Sequence, residues 1–112
     1  MKYKNIEPKV SIGLPVYNGA ETIENAINSI LRQTFRDFEL IISDNASDDE
    51  TPRICKEFLL KDSRIKYIRQ PNNIGGVENF VFVMKEAKGK YFKWIGDDDW
   101  ISPDFLEVNM LV

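Results

Sequence analysis

Residues 10–31 read VSIGLPVYNGAETIENAINSIL, and a change of period inside this stretch decides the fold class. Val10, Ile12 and Leu14 alternate with the small residues Ser11 and Gly13, the pattern of a strand packed on both faces, and Pro15 is expected to stop it. Ile23, Ala26, Ile27, Ile30 and Leu31 then recur at i, i+3, i+4, i+7 and i+8, one apolar stripe of a helix. Asn18 followed by Glu21 has capping-box spacing and predicts where that helix starts. A buried strand running directly into a helix is the unit of an α/β sheet.

The unit recurs along the chain. Phe38–Ser43 is a second apolar strand, followed by a helix that begins either at the Ser47/Glu50 capping pattern or at Thr51 with Pro52, and that buries Ile54, Cys55, Phe58 and Leu59. Ile65–Arg69 reads as a third strand, and Val77, Phe80, Val81 and Met84 as the buried stripe of a helix ending at Gly89. Tyr91–Ile95 is the fourth strand, with a short helix after it capped by Ser102 and Pro103. Strands spaced by about 25 to 28 residues with helices between them are βαβ units, which require a parallel sheet and right-handed crossovers. The expected architecture is α/β, a Rossmann-like parallel sheet with flanking helices.

The length of 112 residues, with 43% hydrophobic and 29% charged, suits one domain over residues 1–112 around one two-sided core. A formal net charge of -3 argues against nucleic acid as a partner, so a phosphate-bearing ligand needs a metal or local amides. The single cysteine, Cys55, cannot close an internal disulfide and reads as a small buried helix residue in a reducing compartment. Histidine is absent, which excludes His-based triads, His-rich zinc sites and histidine general bases, so any chemistry runs on carboxylates. No run of about eighteen apolar residues occurs, and Met1–Lys9 is polar, without the apolar stretch of a signal peptide. A cytoplasmic protein with no transmembrane segment is expected, free or peripheral to the inner face of the membrane.

In an open parallel sheet the ligand crevice lies beyond the carboxyl ends of the strands. Those positions hold Pro15, Val16, Tyr17 and Asn18 after the first strand, Asp44 to Ser47 after the second, Asn72, Asn73 and Gly75 after the third, and Asp97, Asp98 and Asp99 after the fourth. Three adjacent carboxylates repel one another unless a cation neutralises them. Oxygen-only ligands suit Mg²⁺ or Mn²⁺, which complete their shells with substrate phosphates, so the run points to a nucleoside diphosphate; a solvated acidic turn is the plain alternative. Asp44 suits an acceptor for the N3–H of uracil, a donor that cytosine lacks, and Tyr17 suits stacking on the base. An Asx turn at Asp44 and core cover by Tyr17 are the competing readings. Asn73 with Gly75 either brings backbone close to a ligand or forms an ordinary turn.

Five segments follow one another almost end to end: Val10-Ser-Ile-Gly-Leu-Pro-Val-Tyr-Asn18, Ser29-Ile-Leu-Arg-Gln-Thr-Phe35, Phe38-Glu-Leu-Ile-Ile-Ser-Asp-Asn-Ala-Ser47 with Asp48 and Thr51, Asn73-Ile-Gly75, and Gly89-Lys-Tyr91 leading into Gly96-Asp-Asp-Asp-Trp100. As a set they make the chain resemble the N-terminal, nucleotide-sugar-binding half of a family 2 glycosyltransferase of the GT-A fold, truncated before the acceptor half. The resemblance implies an inverting, metal-dependent enzyme that moves a sugar from a nucleotide-sugar, a UDP-sugar, to a saccharide or glycolipid acceptor in polysaccharide or glycoconjugate synthesis. It implies that Pro15, Tyr17, Asn18, Asp44, Asn73, Asp97 and Asp98 line the nucleotide, that Asp98 meets its ribose or the metal, and that Asp98 and Asp99 hold Mn²⁺ or Mg²⁺ in a DXD-like motif. Gly96 stands where the family often has an acid, so the motif's register is open by one residue and Asp97 stays in play. The general base of full-size relatives lies downstream, so none is assigned here and the chain alone is expected to be inactive. A non-catalytic nucleotide-sugar-binding module is the alternative, and self-association through apolar surface meant for the acceptor half is a further expectation. A receiver-like domain lacks its acidic pair after the first strand, and no G-x-G-x-x-G supports a dinucleotide fold.

Overall fold

Strands that are apolar at nearly every position must be covered on both faces, and that demand orders the sheet. The computed structural model describes residues 7–110. Its elements run β1 (Val10–Val16), α1 (Ile23–Leu31), β2 (Phe38–Asp44), α2 (Thr51–Leu59), β3 (Ile65–Arg69), α3 (Gly76–Glu86), β4 (Tyr91–Trp94) and α4 (Phe105–Asn109). The sheet order is β3-β2-β1-β4 and each neighbouring pair is parallel. Every residue of β1 and β2 is buried, so these occupy the middle, while β3 and β4 carry exposed residues and take the edges.

Parallel pairing in register puts Val16, Asp44 and Arg69 side by side at one rim. The strand β1 runs on through Pro15 instead of stopping there. On β1 the carbonyl of Gly13 accepts from Ile95 on the β4 side, and that of Val16 accepts from Asn45 on the β2 side. By alternation Pro15 faces the β4 side, where pairing has already ended at Gly13↔Trp94, so its missing N–H breaks no ladder bond.

One face of the sheet carries the main core: Ile12, Leu14, Leu40 and Ile42 against Ile23, Ile27 and Ile30 of α1, Cys55 and Phe58 of α2, and Leu106 of α4. Within α2, Ile54 and Leu59 are only partly buried at the margin of this cluster. Burial and the neighbouring Asp44 and Asp49 carboxylates push the Cys55 thiol up to about 12, so it is an inert core residue.

The other face is covered by α3, with the opposite side inward from the one its apolar stripe predicts. Asn79 and Val83 are its buried residues, whereas Val77, Phe80 and Met84 are exposed. A β-carbon on Gly13 would lie 2.7 Å from a Val83 methyl and 2.7 Å from the Phe92 ring, so the glycine lets α3 and Phe92 close on the sheet. Asn79 is fixed inside because Ser43 Oγ donates to its Oδ1 at 2.6 Å while its Nδ2 donates to the Ser43 carbonyl at 3.0 Å. The outward stripe instead meets the edge strand: the rings of Phe80 and Trp94 lie 5.9 Å apart, and the Trp94 indole N–H donates to the Phe80 carbonyl. The helix ends at Glu86, before Gly89, and β4 ends at Trp94 with Ile95 buried just beyond it.

Far from the rim, the buried Glu39 fastens the chain leading into β4. Its Oε2 accepts from Ser11 Oγ at 2.5 Å and the Lys88 N–H at 2.8 Å, and Lys66 lies 2.9 Å from Oε1. Ser11 Oγ accepts in turn from the Gly89 N–H, and a β-carbon on Gly89 would sit 2.7 Å from the Ser11 backbone nitrogen. Burial raises the pKa of Glu39, but the hydrogen bonds from Ser11, Lys88 and Lys66 and the Lys66 charge outweigh it and leave the carboxyl below its ordinary value.

Candidate functional site

The rim is built from the loops that follow the strands. After β1 the chain turns at Asn18, whose φ of 52° is left-handed, a conformation Asn tolerates. The helix α1 therefore starts at Ile23 with Thr22 as its N-cap, not at Asn18. The Asn18 side chain is spent on the neighbouring loop: its Oδ1 accepts the Asp48 N–H at 2.9 Å, and its own N–H donates to Ser47 Oγ at 2.8 Å. Gly19 and Ala20 donate to Thr51 Oγ1 and Asp49 Oδ2, so the first two loops form one unit.

With Ser47 engaged in this way, α2 begins at Thr51 with Pro52 in its first turn, and the Thr51 N–H donates to Asp49 Oδ1. Ala46, between Asp44 and Ser47, is held at φ 65°, a conformation costing an alanine ~1–2 kcal/mol. The restraint comes from Asp44, whose Oδ1 accepts the Ser47 N–H at 2.8 Å, and from Arg69, which donates to the Ser47 carbonyl at 2.6 Å.

Asp44 is 0% exposed, and its second oxygen accepts from the Tyr67 hydroxyl at 2.6 Å. Burial first, then the hydrogen bond and charge of Asp44, push the Tyr67 phenol well above its usual range. The turn-stabilising role weighed for Asp44 is thus realised. Its neighbour Asn45, among the positions expected after the second strand, ties β2 to the third loop: Oδ1 accepts the Ile74 N–H at 2.7 Å and Nδ2 donates to the Gly75 carbonyl at 3.2 Å. Gly75 has φ 91° and ψ 155°, a region open to glycine almost alone, and Asn73 Oδ1 accepts its N–H.

The acidic run lies on the other side of β1. Asp97 Oδ2 accepts from Thr22 Oγ1 at 3.0 Å and packs against Gly19, where a β-carbon would clash with it. Asp99 closes a turn, its Oδ2 accepting the Gly96 N–H at 2.9 Å while its own N–H donates to the Gly96 carbonyl. A β-carbon on Gly96 would lie 3.0 Å from Asp99 Oδ2 and 3.3 Å from Asp98 Oδ1, so both oxygens approach Gly96 closely. Among the described residues no group of three or more acidic, His or Cys side chains encloses a cation. Carboxylate oxygens without His or Cys suit Mg²⁺ or Mn²⁺, and with so few of them most of the shell would fall to phosphate and water. Glycine at 96, where the resemblance leads one to expect an acid, lets the two carboxylates come this close.

The predicted residues thus meet at one rim in three environments. Tyr17, 50% exposed, and Asn18, Asn73, Asp98 and Asp99 are open to solvent; Asp97 is partly covered; Pro15 and Asp44 are buried beneath them. The strand carrying the acids is an edge strand with Tyr91 and Trp94 exposed, not a buried one. In α4 the N-cap is Asp104, with Ser102 and Pro103 ahead of the helix; the Pro103 carbonyl accepts the Thr34 N–H, and Gln33 Nε2 donates to the Ser102 carbonyl at 2.6 Å. Sequence reasoning missed Thr22 and Tyr67, whose partners are distant in sequence. No helix among the described residues is long and apolar enough to cross a membrane.

Comparison with known proteins agrees with this geometry. A model of the family described as "Glycosyl transferase family 2" matches residues 11–110. The chain is 38% identical to an uncharacterized glycosyltransferase of Rickettsia prowazekii, over 99% of this chain and 34% of that protein. Among solved structures, S. aureus TarS in complex with UDP superposes with a TM-score of 0.85 at 27% identity, over 92% of this chain and 31% of TarS. A mannosyltransferase from Pyrobaculum calidifontis in complex with GDP-Man and Mn²⁺ shares the fold, with a TM-score of 0.80 at 22% identity, over 91% of this chain and 31% of the other. The chain spans about a third or less of the length of the curated relatives it matches first. With the family model spanning nearly all of the described residues, the chain belongs to glycosyl transferase family 2.

Proposed function

We propose that residues 1–112 form the donor-binding half of an inverting, metal-dependent glycosyltransferase that uses a UDP-sugar and passes its sugar to a saccharide or glycolipid hydroxyl. The observation that carries this reading is the bonded rim: Asn18 to Asp48 and Ser47, Asn45 to Ile74 and Gly75, and Asp97 to Thr22 bring all four loops to one side of the sheet. TarS, matched over most of this chain, is known in complexes with UDP and with UDP-GlcNAc.

In this reading Tyr17 stacks on the base above Pro15. Asp44 either accepts from uracil N3–H, displacing the Tyr67 hydroxyl, or acts beneath the base by fixing Ala46 and Ser47. Asn18 and Asn73 present the loop edges to the nucleoside. Asp97, held by Thr22, meets the ribose. Asp98 and Asp99 would hold the cation, and Mn²⁺ or Mg²⁺ bound there would supply positive charge to offset that developing on the departing UDP. In this reading the residues of this chain bind and orient the donor, and none of them is assigned as the base that deprotonates the acceptor. The protein works in the cytoplasm, free or against the inner face of the membrane, and the exposed stripe of Val77, Phe80 and Met84 beside Trp94 favours self-association of the isolated chain.

Calorimetric titration with UDP, with and without Mn²⁺, tests the assignment. Mn²⁺ should tighten UDP binding at least tenfold, and an Asp98→Ala, Asp99→Ala double variant should lose that gain while keeping its melting temperature. UDP binding that ignores both the metal and the double substitution would overturn the metal-assisted reading; absence of any UDP binding would overturn the donor reading itself.

A further inference from the structure

On one face of α1 the residues Thr22, Asn25, Ser29 and Arg32 follow at spacings of three and four, so they form a single row along the helix. The chain leaving the acidic turn is fastened along that row. Asp97 bonds to Thr22, the Ile101 N–H donates to Ser29 Oγ at 3.4 Å, and Gln33 and Thr34 hold the carbonyls of Ser102 and Pro103. Between these ties the chain stands off the helix and leaves a cavity of about 290 Å³ lined by Thr22, Asn25, Arg32, Asp98, Asp99 and Trp100.

The lining has a mixed chemistry. Trp100 is 62% exposed and supplies a broad apolar face. Asn25 both donates and accepts, Arg32 only donates, and Asp98 and Asp99 only accept. No carboxylate among the described residues lies within 4.0 Å of the Arg32 guanidinium, so its donors are free for a ligand. A small anion is disfavoured, because two carboxylates face one guanidinium. An apolar ligand is disfavoured, because only Trp100 would satisfy it. A pyranose ring, with C–H groups on one face and hydroxyls that donate and accept around its edge, matches all of these groups together. The volume falls just below that of ligand pockets, which start at roughly 300 Å³, and suits a sugar unit rather than a chain. The trench also leads away from the nucleoside loops, since α1 has nine residues and carries the row about 13 Å along its axis from Thr22.

We propose that this trench binds a saccharide ring other than the one attached to the nucleotide, the terminal sugar of the acceptor, with Trp100 as the platform and Arg32 and Asn25 gripping its hydroxyls. The proposal extends the glycosyltransferase reading by assigning an acceptor contact to the donor half.

The indole N–H signals of Trp94 and Trp100 allow a direct test by ¹H–¹⁵N NMR. The intact chain, without nucleotide or metal, is titrated with methyl β-glucopyranoside, methyl β-N-acetylglucosaminide and methyl α-rhamnopyranoside. At least one should shift the Trp100 signal saturably and leave Trp94 in place. Arg32→Ala and Asn25→Ala, both at exposed positions, should each weaken that binding at least fivefold, and the shift should persist when UDP-GlcNAc and Mn²⁺ are present. The proposal is overturned if no glycoside moves Trp100, if both variants bind like the unaltered chain, or if UDP-GlcNAc displaces the glycoside, which would make the ring the donor's own. Glycoside binding in a chain that fails to bind UDP supports this site and sinks the donor reading; UDP binding without any glycoside response does the reverse.

Discussion

The hydroxyl of Tyr67 donates a 2.6 Å hydrogen bond to Oδ2 of Asp44, the second partner of a carboxylate whose Oδ1 already accepts the Ser47 N–H. The pair links β3 to the loop after β2 below the surface of the rim. Tyr67→Phe leaves a fully buried carboxylate oxygen without its donor, which costs about 1–3 kcal/mol. The denaturation midpoint should fall accordingly, and UDP affinity should drop several-fold as the loop loosens. An unchanged midpoint would show that water replaces the phenol without loss.

Gly19 is tested by a single methyl. Its β-carbon would sit 2.7 Å from a Val16 methyl and would run into the Asp97 carboxylate. Gly19→Ala should therefore displace Asp97 from Thr22 and weaken Mn²⁺-supported UDP binding at least tenfold, while Thr22→Val, which removes only the hydroxyl bond, should weaken it less. Equal affinities for Gly19→Ala and the unaltered chain would mean that Asp97 takes no part.

Ala46 at φ 65° predicts the opposite sign. Glycine adopts this conformation without the clash that an alanine suffers, although it adds freedom to the unfolded chain. Ala46→Gly should stabilise the protein by up to ~1 kcal/mol, and Ala46→Val should destabilise it by more than that. Thermal melts of the two variants decide the point, and a destabilised glycine variant would contradict it.

Glu39 sets the acid limb of stability. Its carboxyl is held below the ordinary value, burial working against the stronger hydrogen bonds from Ser11, Lys88 and Lys66. The folded state thus favours the ionised form. Its contribution is present above the unfolded pKa near 4.5 and is lost as the pH falls through the lower folded value. Glu39→Gln should lower stability at neutral pH and flatten the decline below about pH 4.5, as read from denaturation curves across pH 3–7. Parallel acid limbs for the two proteins would exclude Glu39 as the controlling group.

The βα alternation was legible because burial on both faces writes an apolar run into β1 and β2, and one-sided burial writes a clear stripe into α1. In α3 the same logic found the helix and mistook its face. Val77, Phe80 and Met84 look like a core stripe, but the inward side is set by the small Gly13 on the sheet and by the polar pair Ser43 and Asn79, whose bonds cannot be foreseen from periodicity. Capping patterns at Asn18 and Ser47 failed for a related reason: those side chains bond to each other's loops rather than to the helices after them. The rim positions were legible from strand ends alone. Their division into buried Asp44, bonded Asp97 and open Asp98 was not, because it depends on Tyr67 and Thr22, which are remote in sequence.

The first strand of the chain sits between β2 and the last, β4, with Val10 beside Tyr91. Closing that pair requires nearly the whole described polypeptide to be looped out, and loop closure at such separation is slow compared with helix and local turn formation. During synthesis the loops after β1 and β2 can assemble early, while the acidic turn reaches its place only once residues near 91 have emerged and found β1. Completion of the rim is therefore a late event in the life of the nascent chain, timed by strand order rather than by the carboxylates themselves.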